Sequence, residues 1–325
     1  MERRYRMGKL KIGWLATGVL AVAVVVVAVL VHARFRRDIR AAQERLQSGG
    51  SQVIETDCGS IEYGNAGNGP PVLVIHGAGG GYDQGLLIGS QMFGEDFKLI
   101  APSRFGYLNS PIPEDSSLEA QADAYACLLD ALDIDRVIVV AFSAGGPSGL
   151  HFARRYPERT TTLIMRSAIS YIDPSNAEDR EREARINRVI GSDFVYWLGT
   201  TVARSFVLDL LGVSREVQAG LAPAEMAQAD QVLEAMLPMG QRLDGILLDQ
   251  ERELPKDFPL GLIKAPTLVI HARDDSLIDY SNGQHTAARI TGAEFMTLRD
   301  GGHFLLGHYD EIRARIMIFL AETRE

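Results

Sequence analysis

Residues 137–146 read Val-Ile-Val-Val-Ala-Phe-Ser-Ala-Gly-Gly, a run that changes from mostly β-branched apolar residues to small ones at Ser143. The apolar part predicts a buried strand, and a helical pattern at 145–156 starts directly after the serine. A reactive serine on such a tight strand-to-helix turn needs small residues two positions before and two positions after it, where Ala141 and Gly145 stand. A serine that only caps the helix is the alternative interpretation.

Short apolar runs recur on both sides of this turn and alternate with amphipathic stretches. They predict further strands at 71–75, 99–101, 163–165, 267–270 and 295–298. Strands that are apolar on both faces and alternate with helices are typical of a doubly wound, mostly parallel sheet covered by helices on each side. The segment 171–262 breaks the alternation because its pattern is helical throughout, and we interpret it as a lid over the carboxyl ends of the strands.

The composition excludes several classes of protein. The formal net charge of −9 argues against a general nucleic-acid binder. Hydrophobic residues make up 46% of the chain, which is ample for a large core and too many for a disordered chain. The only two cysteines, Cys58 and Cys127, rule out a disulfide scaffold and a multi-cysteine zinc module, and their pairing stays open.

A glycine-rich turn follows the first predicted strand directly and reads His76-Gly77-Ala78-Gly79-Gly80. Such a turn lets a backbone N–H point into a site at the carboxyl edge of the sheet. The N–H groups of Ala78 and Ala144 are therefore predicted to form an oxyanion hole. The alternatives are a flexible turn and a phosphate-binding loop, and the second lacks the expected Lys-Ser/Thr pair.

Two further strand ends carry candidate catalytic groups. Asp274 and Asp275 follow the strand at 267–270, and His303 follows the last strand within Gly301-Gly302-His303. The chain order serine, aspartate, histidine, with each residue at a strand end, is typical of a nucleophile, acid and base that act together. The predicted catalytic residues are Ser143, Asp275 and His303.

Residues 51–325 resemble a lid-bearing α/β-hydrolase-fold serine hydrolase of the esterase and lipase-like branch. The resemblance rests on five sequence motifs that occur in the chain order of the family. They are the 76–80 turn, Ser103-Arg104-Phe105-Gly106-Tyr107, the Ser143 turn, Asp274-Asp275 and Gly301-Gly302-His303. The sequence departs from the strict pattern at Ala141, where glycine is usual, and at Asp279, where many relatives have proline. A serine nucleophile argues against the family's epoxide hydrolases and dehalogenases, which have aspartate there.

The resemblance implies that the chain cleaves a carboxylic ester or a related acyl bond through an acyl-enzyme intermediate. Carbon–carbon bond hydrolases, lactonases and cofactor-free peroxidase-type enzymes share the same machinery and remain alternatives, as does a non-catalytic binding relative. The sequence has neither metal-ligand spacing nor a dinucleotide fingerprint, so we predict no cofactor and no metal.

Other polar residues compete with these assignments. Asp274 and Asp300 are interpreted as a salt-bridge partner and a turn residue, and Asp173 is a lesser candidate because some relatives place the acid after the third strand. The remaining motif and surface histidines are interpreted as structural or exposed; they are His76, His271, His285 and His308.

Four aromatic residues are predicted to bind the substrate, namely Phe142, Tyr107, Trp197 and Phe304. They favour a small-molecule or lipid-like acyl substrate with an apolar group. Aromatic residues at helical spacing are also typical of an ordinary core, which is the alternative interpretation.

The N-terminal 40 residues contain nine basic and two acidic residues, yet no charge occurs between Ile12 and Val31. Twenty apolar residues are enough to span a bilayer and exceed the apolar run of a usual signal peptide. We predict a basic N-terminus at 1–11, an uncleaved transmembrane anchor at 12–33, a juxtamembrane spacer at 34–50 and the hydrolase domain at 51–325.

A cleaved signal peptide and a buried soluble helix are the alternatives to the anchor. Basic residues flank the span in similar numbers on both sides, so the positive-inside rule gives almost no preference for either orientation. A short segment before a first span usually stays in the cytoplasm, which favours a single-pass membrane protein with its catalytic domain outside the cytoplasm.

Overall fold

The structure is a computed structural model that describes residues 2–172 and 177–323. Among these residues, eight strands form one sheet in the order β1-β2-β4-β3-β5-β6-β7-β8. The strands are β1 (Gln52–Thr56), β2 (Gly59–Ala66), β3 (Pro71–Ile75), β4 (Lys98–Pro102), β5 (Val137–Phe142), β6 (Thr160–Arg166), β7 (Thr267–Ala272) and β8 (Glu294–Leu298).

Twelve helices accompany the sheet in the described part of the chain. They are α1 (Glu2–Ser48), α2 (Tyr82–Phe93), α3 (Leu118–Ala131), α4 (Gly146–Arg155), α5 (Ala177–Ile190), α6 (Asp193–Val202), α7 (Arg204–Leu210), α8 (Arg215–Gly220), α9 (Pro223–Ala235), α10 (Leu243–Glu251), α11 (Ser281–Arg289) and α12 (Tyr309–Glu322).

The six predicted strands are present as β3 to β8, and all of them pair in parallel. The predicted fold, a doubly wound and mostly parallel sheet, is confirmed. Alternate residues of each strand enter different layers: Leu73 packs in one core cluster and Val74 in the other. Strands β1 and β2, which pair antiparallel at the edge of the sheet, were not predicted, because their half-exposed, polar and glycine-containing sequences lack a continuous apolar run.

Helices α5 to α10 lie between β6 and β7, within the region that the sequence predicts as a lid. A bridge between Ile172 and Leu254 brings the two ends of this insertion together. An ion pair with a buried arginine joins the lid to the rest of the domain, because Arg104 donates two hydrogen bonds to the carboxylate of Asp249 on α10. The insertion is thus tied to the sheet at its base.

The pairing of the two cysteines, which the sequence left open, is present in the structure. Cys58 lies in the turn between β1 and β2, and its sulfur is bonded to that of Cys127 on α3. The bond therefore ties the edge hairpin to a helix that covers the sheet.

Helix α1 continues without a break from the apolar N-terminal segment into residues 34–48, which make up most of the predicted spacer at 34–50. Its part from Gly18 onward is long and apolar enough to cross a membrane. The large apolar side chains between Val19 and Leu30 are exposed, which does not fit a buried soluble helix. The spacer segment, in contrast, packs one side against the lid.

This packing uses a helical stripe of α1. Ile39 and Ala42 are buried and form one apolar cluster with lid side chains that include Tyr196 and Trp197. Leu46 is also buried, but in the cluster that contains Tyr82 of α2. Polar contacts reinforce the stripe: the Trp197 indole N–H donates to Asp38 at 3.0 Å, and Arg45 donates to two backbone carbonyls at the end of α9. Residues 34–48 therefore pack directly on the lid of the hydrolase domain.

We expect a chain that begins at residue 51 to be less stable than one that begins at residue 33, which keeps the stripe. Removal of the stripe exposes Tyr196, Trp197 and their neighbours to water, and burial of each large apolar side chain contributes about 2 kcal/mol. The shorter chain should melt at least about 5 °C lower in a thermal unfolding experiment. Equal melting temperatures for the two chains would show that the packing of α1 on the lid contributes nothing to stability.

Candidate active site

Ser143 lies at the turn between the central strand β5 and α4, with φ of 51°, a left-handed conformation that is unusual for serine. Close packing explains why its neighbours are small. A Cβ atom at Gly145 would lie 2.5 Å from the His76 carbonyl oxygen, and one at Gly149 would lie 2.7 Å from the Ala141 Cβ. The residue after strand β3 and helix α4 therefore pack closely around the turn, and Ser143 lies at the carboxyl edge of the sheet.

Ser143, His303 and Asp275 form a continuous chain of hydrogen bonds. The His303 Nε2 atom lies 2.9 Å from the Ser143 Oγ, and its Nδ1 atom lies 2.9 Å from an Asp275 carboxylate oxygen. All three side chains are buried. A neutral imidazole that donates from Nδ1 to the carboxylate has its Nε2 lone pair directed at the serine hydroxyl, which is the arrangement a general base requires.

The Asp275 carboxylate is held in a strongly polar environment. Burial by itself raises the pKa of Asp275, but the charge and hydrogen bond of His303, the His271 side chain and the Ile278 backbone outweigh it and hold the pKa well below its usual range. The second carboxylate oxygen accepts the N–H groups of Leu277 and Ile278 at 3.0 and 2.9 Å. Asp275 is thus ionised in neutral solution and fixed in orientation.

The competing carboxylates lie elsewhere. Asp274 accepts the backbone N–H of Gly302 at 3.0 Å, and its pKa is raised by burial. It therefore supports the loop that carries His303, and the salt bridge predicted for Asp274 is not seen among the described residues. Asp300 lies 2.8 Å from His308, and Asp173 lies outside the described residues.

Two histidines interpreted as structural from the sequence contact the site. His271 is fully buried, and its Nε2 lies 3.2 Å from Asp275 and 2.9 Å from the Ile278 carbonyl oxygen. The sequence offered one signal for this contact, the i, i+4 spacing of His271 and Asp275 across the strand end. His76 accepts the N–H of Arg104 and lies 2.7 Å from the Gly77 carbonyl oxygen, so it braces the glycine-rich turn.

The predicted oxyanion-hole residues flank Ser143. Ala78 lies in the turn after β3 and lines the same cavity as Ser143. Gln84 accepts the Gly77 N–H at 3.0 Å and thereby holds this turn in place. Ala144 lies in the first helical turn after the serine, where backbone N–H groups have no intrahelical partner. Ala78 thus shares a cavity with Ser143, and Ala144 follows Ser143 directly in the chain.

A largely apolar cavity of about 400 Å³ opens over Ser143 and His303, between the sheet and the lid. Its lid-derived walls are mostly aliphatic and aromatic, from Ile190, Val195, Tyr196, Phe206, Val207, Leu210, Leu211, Met236, Met239 and Ile246. Among its described lining residues, Gln84, Asn187, Ser143, Tyr196 and His303 carry polar side chains, and none has a carboxylate, ammonium or guanidinium group.

The four predicted substrate-binding aromatics separate into two pairs. Phe142 and Phe304 line the cavity. Tyr107 does not: its hydroxyl donates to Asp249 and its ring packs against His76. Trp197 packs against Phe35 of α1 instead, while the preceding residue of α6 faces the cavity. Adjacent residues of a helix point about 100° apart. A helical sequence pattern does not show which elements pack on each side of the helix, so it does not show whether Tyr196 or Trp197 faces the site.

The comparisons with known proteins agree with this architecture. A family model described as alpha/beta hydrolase fold matches residues 70–307, and the chain belongs to that family. It is 29% identical over 263 residues to the uncharacterized hydrolase YcgS of Bacillus subtilis, which covers 78% of this chain and 92% of YcgS. An alpha/beta hydrolase fold protein from Nakamurella multipartita superimposes with a TM-score of 0.67 at 28% identity, over 83% of this chain and 98% of that one.

A third relative has a named reaction. The chain is 25% identical over 301 residues to the 2-hydroxy-6-oxononadienedioate/2-hydroxy-6-oxononatrienedioate hydrolase of Klebsiella pneumoniae, which covers 86% of this chain and 99% of that protein. The protein described here is therefore a hydrolase of the α/β fold.

Proposed function

We propose that this protein is a serine hydrolase that cleaves uncharged carboxylic esters with an apolar acyl group. The observation that carries the proposal is the unbroken chain of hydrogen bonds from Ser143 through His303 to Asp275 at the floor of an apolar cavity. A serine hydroxyl is a weak nucleophile until a base removes its proton, and this arrangement supplies that base.

The steps follow from the positions of the groups. The Ser143 Oγ attacks the acyl carbonyl carbon while His303 Nε2 takes its proton, and Asp275 stabilises the imidazolium that forms. The N–H groups of Ala78 and Ala144 donate hydrogen bonds to the former carbonyl oxygen and stabilise its negative charge. His303 then protonates the departing alcohol, which leaves an ester of Ser143. Water activated by the same imidazole hydrolyses this ester and restores the free serine.

The lining of the cavity favours a neutral acyl substrate over the carbon–carbon hydrolase alternative. The Klebsiella relative is named for a dioate, a substrate with two carboxylates. Burial of a carboxylate requires a cation or several hydrogen-bond donors. The described lining residues of this cavity include no arginine or lysine, so they suit an alkyl or aryl acyl group better.

We further propose that α1 anchors the protein in a membrane and that the hydrolase domain lies outside the cytoplasm. The length and exposed apolar surface of α1 support the anchor. The bonded sulfurs of Cys58 and Cys127 support the orientation, because such bonds persist mainly in oxidising compartments.

A panel of p-nitrophenyl esters tests the substrate class. We expect the octanoate to have a kcat/KM at least about tenfold above that of the acetate, because each buried methylene group contributes about 0.8 kcal/mol. Ile246→Phe, which narrows the cavity, should reduce this preference and spare acetate turnover. Ile318→Phe, at an exposed position on α12, is the matched control and should change neither the preference for octanoate nor the turnover of acetate.

Lactones, thioesters and carbon–carbon bonded diketones belong in the same panel. Hydrolysis of a diketone without hydrolysis of any ester would contradict the ester assignment. An equal rate for acetate and octanoate would contradict the role of the cavity as an acyl-binding site.

A further inference from the structure

Eight apolar side chains of the lid are exposed to solvent, which is unusual for such large residues on three neighbouring helices. We call this surface the outer lid face; its members are Ile186, Val189, Phe194, Val195, Leu198, Val202, Phe206 and Leu210. On α6 three of them, Phe194, Leu198 and Val202, recur every fourth residue and so form one stripe along the helix. Extended exposed apolar surfaces mark sites of association.

The outer lid face includes the mouth of the active-site cavity. Val195, Phe206 and Leu210 are exposed to solvent and also line the cavity above Ser143. A side chain that meets both conditions stands at the rim of the opening. Leu277, from the loop after β7, meets both conditions as well. The entrance to the site is thus apolar on its lid side and on its sheet side.

The same face adjoins the apolar part of α1. The ring of Phe194 lies 5.2 Å from that of Phe35, edge to face, and Phe194 shares a cleft with apolar residues of α1 from Ala23 to Val31. Because α1 rises 1.5 Å per residue, Phe35 is only about 6 Å beyond the end of the apolar run at Val31. A bilayer that surrounds this run therefore reaches the level of Phe194.

The orientation of the lid relative to α1 is held by the packing described above. Ile39 and Ala42 are buried against the lid, so the outer lid face cannot turn away from the membrane without breaking that cluster. Four exposed arginines follow the apolar run directly and fit the phosphates of lipid headgroups; they are Arg34, Arg36, Arg37 and Arg40.

We infer that the outer lid face docks on the lipid bilayer, and that an acyl chain of a membrane lipid ester enters the cavity directly from it. The second half of this inference rests on the proposed ester hydrolysis, and the first half rests on the proposed membrane anchor alone. An amphipathic surface of this kind inserts its apolar side chains about 5–10 Å into the boundary of headgroups and acyl chains. The rim of the cavity then opens into the hydrocarbon and not into water.

Docking is tested on the full chain in liposomes with a fluorescent probe on an introduced cysteine. Both native cysteines are bonded to each other, so the introduced thiol reacts alone. The probe positions are Val202→Cys and Leu262→Cys. Val202 lies on the outer lid face and its side chain is 76% exposed. The Leu262 side chain is 60% exposed and precedes β7, at the edge of the sheet opposite to the carboxyl ends of the parallel strands. We expect lipids with a quencher on the acyl chain to quench the probe at 202 and to spare the probe at 262.

Two results would overturn docking on the bilayer. One is equal quenching of the two probes by the quencher lipids. The other is shielding of the probe at 202 without quencher lipids, together with cross-links between copies through Val202→Cys, which would identify a second copy of the chain as the occupant.

Substrate entry is tested with a charged variant of the same surface. Val202→Asp should reduce hydrolysis of a long-chain ester embedded in vesicles by roughly tenfold, because it removes one apolar contact with the bilayer and introduces a charge there. Turnover of soluble p-nitrophenyl butyrate should not change, since Val202 does not line the cavity. Leu262→Asp is the control for both substrates.

The two proposals fail in different ways. Equal rates of Val202→Asp and the unmodified chain on the embedded ester would overturn entry from the bilayer while the ester hydrolase assignment stands. Absence of turnover of both esters by the unmodified chain would overturn the proposed function, and with it the entry of a lipid ester, while the quenching result still decides the docking.

Discussion

Replacement of Ser143 by alanine is expected to lower ester turnover by on the order of 10⁶-fold and to abolish labelling by a fluorophosphonate probe. Among the described residues, the Ser143 hydroxyl is the hydrogen-bond partner of the His303 Nε2, at 2.9 Å, so its removal eliminates the nucleophile and leaves the base without a proton to take. Substitutions of residues that act as a unit have strongly non-additive effects, and the loss of either Ser143 or His303 by itself removes most of the rate. Steady-state kinetics and probe labelling of purified variants measure both effects.

Two controls separate chemistry from folding. Ser90→Ala removes an exposed hydroxyl on α2 and should retain full activity. The double variant Ser143→Ala/His303→Ala should be no slower than either single variant, because the two groups act in one step. Unchanged hydrolysis by a folded Ser143→Ala protein would remove the serine hydrolase assignment altogether.

Replacement of Asp275 by asparagine should cost about 10⁴-fold in kcat, the loss seen when this change leaves the imidazole in the wrong tautomer. The N–H groups of Leu277 and Ile278 hold one side-chain oxygen and so direct the new amide NH₂ at His303. His303 must then accept at Nδ1 and carry its proton on Nε2, where it cannot remove the proton of Ser143.

Asp274→Asn is the matched control for this change. Asp274 accepts one backbone N–H from Gly302, and an asparagine oxygen accepts the same bond. We expect a loss in kcat of less than about tenfold, since the loop that carries His303 keeps this support. If Asp274→Asn is the inactive variant and Asp275→Asn retains its rate, the assignment of the acid is wrong even where the serine assignment holds.

The central sheet and the chain order of the candidate catalytic residues were predictable from the sequence because both are local patterns. Each of β3 to β8 contains a short apolar run, and the runs of the inner strands β3, β5 and β7 are buried, as parallel strands covered on both faces require. Ser143, Asp275 and His303 each follow such a run, and the carboxyl ends of parallel strands meet at one edge of a sheet. The edge strands β1 and β2 lack this signal, because a half-exposed hairpin does not need a continuous apolar sequence.

The structure alone decided which neighbours face one another. The sequence shows two adjacent carboxylates at 274 and 275, and only the course of the chain after β7 directs the second at His303 and the first at Gly302. The same holds for α6, where Trp197 packs on α1 while Tyr196 lines the cavity. Contacts between segments far apart in the chain, such as residues 35–46 with the lid, depend on tertiary packing, and a single sequence contains no local pattern that specifies them.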